Sequence, residues 1–218
     1  METKGKEYVV LLHGLNMRSF IMQRLRNYLS AAGYSTVNRS YPSTKYPIEK
    51  LAERYIRPIV EGCKDATKIH FVTHSLGGIV VRQYLQNHEL PTGSRVVMLC
   101  PPNSGSEVSD FYKNIFLYKW MFGPAGQQLT TKPDSLPNTL KPVSAEIGII
   151  AGNRSYEPWY SPLFDGPHDG KVAVERTKLP EMKDFIVVNH THTFTPVRSD
   201  VFPVVLNFLR DGSFRTSE

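Results

Sequence analysis

Cysteine is scarce in this sequence, which has two cysteines among 218 residues. Two thiols, Cys63 and Cys100, are too few for a disulfide framework, and they do not have the spacing of metal ligands. We therefore expect two buried free thiols, because unpaired cysteine is among the residue types most often found in protein interiors.

Long hydrophobic runs are also absent. No stretch reaches the roughly 18 uncharged apolar residues that a membrane-spanning helix needs, so we expect no transmembrane segment. The first residues, Met1–Lys6, lack the apolar core and cleavage site of a secretory signal peptide. We accordingly expect a cytoplasmic protein.

Clusters of like charge are missing as well. The net charge is +6 and the pI is about 9.3, but the lysines and arginines are scattered along the chain. A nucleic-acid partner is therefore not expected, because such proteins concentrate basic residues on one face. The length and the 40% hydrophobic content predict a single domain over residues 1–218, large enough for one buried core.

A strand, a sharp turn and a helix are predicted by residues 68–83, which read K-I-H-F-V-T-H-S-L-G-G-I-V-V-R-Q. Ser75 lies at the apex of this turn, as in a nucleophile elbow that raises a serine hydroxyl above the edge of a parallel sheet. The usual pattern is G-x-S-x-G, and Thr73 replaces the first glycine here. Thr73 weakens the match, whereas Gly77 supplies the small residue that the close approach of strand and helix requires.

A second turn follows the apolar run Tyr8–Leu12, which is typical of a strand buried on both faces of a sheet. The turn reads His13-Gly14-Leu15, and we predict that His13 and Gly14 contribute to substrate binding. The backbone N–H groups of Leu15 and Leu76 are predicted to form an oxyanion hole, in which two donors stabilise a developing negative charge. An ordinary strand-to-helix turn is the alternative.

Strands and helices alternate along most of the chain, which predicts an α/β fold with right-handed crossovers in a parallel sheet covered on both faces. Further strands are predicted over residues 34–38, 95–99, 147–151 and 185–188, and helices over 20–29, 48–60, 76–88 and 201–209. Pro58 is expected to kink or divide the second helix.

Residues 103–143 interrupt this alternation and are expected to be mostly loop, which makes them a possible lid or substrate wall. The part from Phe111 to Phe122 is rich in aromatic residues. We predict that Phe111 and Phe116 contact the substrate, and transient contact with a lipid surface is also possible. The alternative is a helix packed on the core with Lys113 and Lys119 pointing outward.

Acidic and histidine residues follow the last two predicted strands. The loop after the penultimate strand contains Asp165 and Asp169, and His190 and His192 come directly after the final strand. The chain order is therefore serine, acid, histidine, as in α/β-hydrolases. A serine hydroxyl needs an imidazole to accept its proton and a carboxylate to orient that imidazole, so these residue types together predict nucleophilic catalysis.

Nearly the whole chain resembles the small lipase-like α/β hydrolases, which include minimal bacterial lipases and, more distantly, GPI-inositol deacylases. The matching blocks are His13-Gly14-Leu15, Tyr41-Pro42-Ser43, Thr73–Gly78, Pro101–Ser106, Gly123–Gly126, Ile150–Arg154, Asp169–Val172 and His192-Thr193-Phe194. The resemblance implies about six mostly parallel strands with little or no cap, and it selects Asp169 and His192 as the acid and base that act with Ser75.

The predicted activity is cleavage of carboxylic esters through an acyl-enzyme on Ser75, with a small ester or lipid-like substrate and without cofactor or metal. An acyltransferase using the same intermediate is an alternative. A metal site formed by His168, Asp169, His190 and His192 is less favoured, because their spacing matches no common zinc signature. A non-catalytic binding protein is also less favoured, and the sequence leaves the oligomeric state open.

Overall fold

The sheet in the computed structural model, which describes residues 5–215, has six parallel strands. Its spatial order is β2-β1-β3-β4-β5-β6, and every neighbouring pair is parallel. The predicted α/β fold is confirmed, with a sheet that is fully rather than mostly parallel. The strands are β1 (Lys6–Leu12), β2 (Ser35–Asn38), β3 (Ala66–His74), β4 (Arg95–Leu99), β5 (Glu146–Gly152) and β6 (Asp184–Val188).

Helices connect these strands and cover both faces of the sheet. The α-helices are α1 (Gln23–Ala31), α2 (Ile48–Leu51), α3 (Arg57–Glu61), α4 (Leu76–Tyr84), α5 (Glu107–Tyr112), α6 (Phe116–Gln127), α7 (Leu136–Thr139), α8 (Val174–Thr177) and α9 (Val201–Asp211). Short 3₁₀-helices occupy Ser19–Met22, Pro158–Leu163 and Thr195–Val197. The division expected near Pro58 takes the form of a π-helical turn, Ala52–Ile56, between α2 and α3. Pro58 itself lies in the first turn of α3, where its missing N–H is tolerated.

Alternate residues of β1 face two hydrophobic clusters, one on each side of the sheet. Val10 and Leu12 belong to the cluster that includes the helices around α2 and α4, and Val9 and Leu11 belong to the cluster under α1 and α9. All four side chains are completely buried. A strand buried on both faces needs apolar residues at every position, which explains why its sequence is continuous rather than alternating.

The segment between β4 and β5 differs from the prediction, because it contains α5, α6 and α7 rather than mostly loop. The Gly123-Pro124 pair does interrupt the helical conformation, as the sequence indicates, but helices lie on both sides of it. Gly123, with φ of 59° and ψ of −163°, is not helical, so α6 consists of two helical segments that meet at a kink there. The alternative of a helix packed on the core is also wrong for the first half of α6, where Phe116 and Trp120 are 82% and 73% exposed. The helix after Ser75 is shorter than predicted and ends at Tyr84.

The carboxyl ends of the parallel strands meet at one edge of the sheet. The segments that leave this edge after β1, β3, β5 and β6 contain Leu15, Ser75, Asp169 and His192, respectively. Cys63 and Cys100 are both buried free thiols, as predicted. Within residues 5–215, no helix combines the length and the apolar character that crossing a membrane would require.

Candidate active site

Ser75 lies in a strained backbone conformation between β3 and α4. Its φ of 52° and ψ of −121° are unusual for a residue with a side chain, and its N–H donates a hydrogen bond to the Leu99 carbonyl at 2.9 Å. The turn brings the start of α4 close to the end of β1. A methyl group added at Gly77 would lie 3.0 Å from the Leu12 carbonyl oxygen, so the space admits only glycine comfortably.

Thr73 fits this turn although the usual residue is glycine. Its side chain is completely buried at the end of β3, and its hydroxyl donates a hydrogen bond to the Val97 carbonyl at 3.4 Å. Gly78 faces Thr73, because a methyl group added at Gly78 would lie 3.4 Å from the Thr73 hydroxyl. Gly78 is tighter against Pro101, whose Cβ would lie 3.2 Å from such a methyl group.

Ser75, His192 and Asp169 form one hydrogen-bonded chain. The Ser75 hydroxyl lies 2.9 Å from His192 Nε2, and His192 Nδ1 lies 2.7 Å from Asp169 Oδ2. All three residues are buried. In the tautomer that these contacts favour, Nδ1–H donates to the carboxylate and Nε2 accepts from the hydroxyl. The fold thus brings His192 into contact with Ser75, 117 positions away in the chain, and with Asp169, 23 positions away.

Asp169 is held as a carboxylate by its surroundings. Burial alone would raise the pKa of Asp169, but the nearby His192 and the backbone N–H groups of Lys171 and Val172 outweigh it and lower that pKa. The two N–H groups donate to Oδ1 at 2.9 and 2.8 Å, which leaves Oδ2 for the imidazole. Asp165, the other aspartate in this loop, is exposed and has no such contacts among the described residues.

Gly14 lies directly beside Ser75. A methyl group added at Gly14 would be 3.1 Å from Ser75 Cβ and 3.0 Å from His74 Nδ1, so a side chain here would crowd the turn. Within residues 5–215, the N–H groups of Leu15 and Leu76 donate to no protein acceptor. The Leu76 N–H is also at the first position of α4, where the helix dipole favours negative charge.

His13 has a different role from the predicted contact with substrate. It is completely buried, its ring stacks on Tyr41 at 4.3 Å, and both of its nitrogens have backbone partners. Nδ1 donates to the Gly14 carbonyl at 2.8 Å, and Nε2 accepts from the Tyr41 N–H at 3.1 Å. His13 therefore has no free polar atom to offer a substrate, and it fixes the turn that carries Gly14 and Leu15.

Tyr41 and Ser43 complete this support, and neither had been given a role from the sequence. The Tyr41 hydroxyl donates to the His13 carbonyl at 2.7 Å, and the Ser43 hydroxyl accepts from the Asn16 N–H at 3.0 Å. Burial raises the pKa of Tyr41 strongly, so the hydroxyl remains protonated and able to donate. The signal available in the sequence was the polar Tyr-Pro-Ser segment after an otherwise ordinary strand.

A cavity of about 520 Å³ opens at this edge of the sheet. Ser75, His192 and Gly14 line it, whereas His13, Phe111 and Phe116 do not. Phe111 and Phe116 are instead 58% and 82% exposed on the surface outside the cavity lining, and their contact with substrate stays a prediction. The apolar side chains that do line the cavity are Leu15, Met17, Pro102, Val108, Tyr112, Ile115, Leu117, Tyr118, Met121, Phe122, Leu129, Tyr160 and Val172.

The four residues considered as metal ligands do not converge. His168 stacks on Phe164 and accepts a hydrogen bond from the Gly170 N–H, and His190 is paired with Asp200 at 2.6 Å. In the described part of the chain, the one cluster of possible ligand atoms is Cys100, Asp169 and His192. Both nitrogens of His192 in that cluster already contact Asp169 or Ser75, which fits the hydrogen-bonded chain better than a metal site.

Known structures with this arrangement of strands include several bacterial enzymes. The mature form of the Bacillus licheniformis lipase BlEst2 aligns with a TM-score of 0.71 and 20% identity over 96% of this chain and 94% of its own. The metagenomic carboxyl esterase MGS0156 aligns with a TM-score of 0.67 and 18% identity over 88% of this chain and 66% of its own. The phospholipase PlaB from Legionella pneumophila aligns with a TM-score of 0.63 and 18% identity over 79% of this chain and 46% of its own. At these identities the similarity shows a shared fold.

No curated protein sequence matches the chain significantly. A family model does, and it is described as the alpha/beta hydrolase family and covers residues 9–206. The match includes β2 to β6, the last four residues of β1 and each of the residues that meet at the sheet edge. The chain therefore belongs to the α/β hydrolase family.

Proposed function

We propose that this protein is a serine esterase that cleaves carboxylic esters through a covalent acyl-enzyme. The observation that carries the proposal is the continuous hydrogen-bonded chain from Ser75 Oγ through His192 to Asp169, at 2.9 and 2.7 Å, with Ser75 facing the cavity. A serine hydroxyl is weakly nucleophilic until a base accepts its proton. This hydrogen-bonded chain supplies His192 as the base and Asp169 as the carboxylate that orients it.

In the first half of the reaction, Ser75 Oγ forms a bond to the ester carbonyl carbon while its proton moves to His192 Nε2. The electron pair of the carbonyl moves to its oxygen, and the N–H groups of Leu15 and Leu76 donate to that oxygen. The intermediate then breaks the bond to the alcohol oxygen, which takes the proton from His192. Asp169 stabilises the imidazolium while it exists.

In the second half, water replaces the alcohol. His192 accepts a proton from the water as its oxygen bonds to the acyl carbon, and the same oxyanion contacts form again. Collapse of this intermediate breaks the bond to Ser75 Oγ and returns the proton to the serine. The products are a carboxylic acid and an alcohol, and the protein returns to its starting state.

The cavity supports an ester with an apolar acyl group. Its volume of about 520 Å³ lies within the range of small-molecule sites, and most of its lining side chains are apolar. Since α5 and α6 contribute many of these side chains, we assign residues 103–143 to the substrate wall within a single domain of residues 1–218. The printed names of the similar structures, a lipase, a carboxyl esterase and a phospholipase, agree with an ester or lipid-like substrate.

A panel of p-nitrophenyl esters from acetate to decanoate tests the proposal. The wild-type protein should hydrolyse at least part of the panel in the presence of a chelator, and Ser75→Ala should reduce kcat/KM by about 1000-fold or more. Ser30→Ala is the matched control, because Ser30 is exposed on α1 and should leave the rate unchanged. Ester hydrolysis that survives Ser75→Ala, or that the chelator abolishes, would refute the proposal.

Adding an alcohol to the same assay separates hydrolysis from acyl transfer. The proposal predicts that free carboxylic acid remains the main product. An ester of the added alcohol as the main product would instead make the protein an acyltransferase that uses the same serine.

A further inference from the structure

Large apolar side chains are exposed around the mouth of the cavity. Phe111, Phe116, Trp120 and Trp159, which we call the aromatic rim, are 58%, 82%, 73% and 66% exposed. Single exposed apolar residues are common on soluble proteins. A group of them exposes a costly apolar surface to water and marks an interaction site. Trp120 and Trp159 are also the two tryptophans of the whole chain.

The two segments that carry the rim belong to one surface. Ring contacts run from Trp159 to Tyr160 at 6.0 Å, from Tyr160 to Tyr112 at 5.9 Å, and from Tyr112 to Phe111 at 4.8 Å. Tyr112 and Tyr160 line the cavity, and the exposed Phe111 and Trp159 stand at the two ends of this series. The rim therefore borders the cavity rather than lying apart from it.

The helix α6 connects the rim with the interior of the cavity. Phe116 and Trp120 are four residues apart, so they lie on the same side of the helix and point outward. Leu117 and Met121, one position further along, line the cavity and are also exposed. One short helix thus presents apolar side chains to the cavity and to the exterior at the same time.

Two exposed positive charges on the segments that carry the rim are not neutralised within the described structure. Lys119 on α6 and Arg154 in the loop before Trp159 are exposed, and neither forms an ion pair with another residue in the range 5–215. Three acids of these segments are already paired, Asp110 with Lys113, Glu107 with Arg176 and Glu157 with Lys171, and the exposed Asp165 offsets one of the two charges. The rim therefore combines apolar side chains with an excess of positive charge.

We propose that the aromatic rim docks onto the surface of an anionic phospholipid bilayer. Tryptophan and phenylalanine insert at the boundary between headgroups and acyl chains, and nearby basic residues are attracted to anionic lipids. In that orientation the cavity mouth faces the lipid. The value of docking for an enzyme rests on the esterase function proposed above, but docking itself requires no catalysis.

Intrinsic fluorescence is a direct test, because both tryptophans are in the rim. The full-length Ser75→Ala protein is mixed with phosphatidylcholine vesicles containing about 30% phosphatidylserine, and with pure phosphatidylcholine vesicles. The expected result is a blue shift and protection from iodide quenching with the anionic vesicles, and a much weaker effect with the neutral ones. Because Ser75→Ala is used, failure of the proposed catalysis would not affect the outcome.

Cosedimentation with the same vesicles tests which residues are needed for binding to the vesicles. Trp120→Ser with Trp159→Ser should lower the bound fraction by about tenfold, and Lys119→Glu with Arg154→Glu should lower it on the anionic vesicles alone. Phe20→Ser is the matched control, since Phe20 is 74% exposed but lies before α1, outside the rim. In a chain with Ser75 intact, the double tryptophan variant should keep its rate on a short soluble ester, which shows that it is folded.

Three results would overturn the proposal. The first is no vesicle binding by the Ser75→Ala protein, and the second is binding that the tryptophan substitutions leave unchanged. The third is a dimer, measured by light scattering, that becomes a monomer in the tryptophan variant while no vesicle binding is seen. That result would assign the rim to contact between two copies of the chain.

Discussion

The ring of His74 donates a hydrogen bond from Nε2 to the backbone carbonyl of His192, at 2.9 Å. The residue directly before Ser75 thus holds the loop that carries the imidazole in contact with Ser75. Burial, followed by the nearby His192, lowers the pKa of His74 to about 3, so its ring stays neutral near physiological pH. A neutral ring beside His192 adds no charge that would oppose protonation of the base.

His74→Ala should lower kcat by about 10- to 100-fold, because it removes a contact that positions His192, and it should change KM less, although His74 also lines part of the cavity. Steady-state kinetics on a soluble ester will measure both constants. The control is His88→Ala, because the His88 ring lies beyond the C-terminal end of α4, where it contacts Glu53, and its removal should have no effect on kcat. A His74→Ala protein with wild-type kcat would show that the contact is dispensable.

His192→Ala and Asp169→Asn should each reduce kcat by about 1000-fold or more, because one removes the base and the other removes the carboxylate that orients it. His190 is the comparison. Its Nε2 contacts Asp200 at 2.6 Å, so His190→Ala should change kcat by no more than about threefold. If His190→Ala proved as damaging as His192→Ala, the choice between the two histidines would have to be reversed.

Tyr41→Phe should impair both stability and activity. The substitution leaves the buried His13 carbonyl without its donor, which costs about 1–3 kcal/mol in the free energy of unfolding. It also loosens the turn that carries the Leu15 N–H, so kcat should fall by about tenfold. Urea unfolding and ester kinetics will measure these effects. Tyr55→Phe is the control, because the Tyr55 hydroxyl has no hydrogen-bond partner within residues 5–215, and an equal loss there would contradict the prediction.

Stability should decrease on mild acidification because buried histidines are neutral in the folded protein. Burial lowers the pKa of His70 to about 4, and that of His74 to about 3, from an ordinary value near 6.5. Below pH 6.5 the unfolded chain therefore binds more protons than the folded one, and stability is lost as the pH falls. Between pH 6.5 and 5 the loss is on the order of 1–2 kcal/mol for each histidine.

Urea unfolding at pH 7.5 and at pH 5 will check this dependence. His70→Asn keeps an acceptor near the Arg95 N–H but cannot be protonated, so it should show a smaller loss between the two pH values. An equal free energy of unfolding at both pH values would contradict the prediction that buried neutral histidines make the stability depend on pH.

Much of the fold could be predicted because each strand and turn has a local cause. The apolar runs of β1 and β3 specify buried strands, and Gly77 specifies a close approach of strand and helix. The proximity of Asp169 and His192 to Ser75 followed from topology, since segments after parallel strands open on the same edge. The selection of His192 over His190 rested on the family resemblance rather than on spacing.

Other features depend on contacts that no local pattern encodes. Whether Phe116 faces the cavity or the solvent is decided by the way α6 packs, and the kink at Gly123 changes that direction in the middle of the helix. The structural role of His13 depends on Tyr41, which is 28 positions away in the sequence. A histidine beside a glycine turn has the same sequence whether it contacts a substrate or a tyrosine.

Labelling with a fluorophosphonate probe, followed by peptide mass spectrometry, tests the central claim most directly. The probe reacts with a serine only when a neighbouring base activates it, so the folded protein should carry a single adduct on Ser75. His192→Ala and prior unfolding should both prevent the labelling. An active esterase that leaves Ser75 unlabelled, or carries the adduct on another serine, would contradict the account.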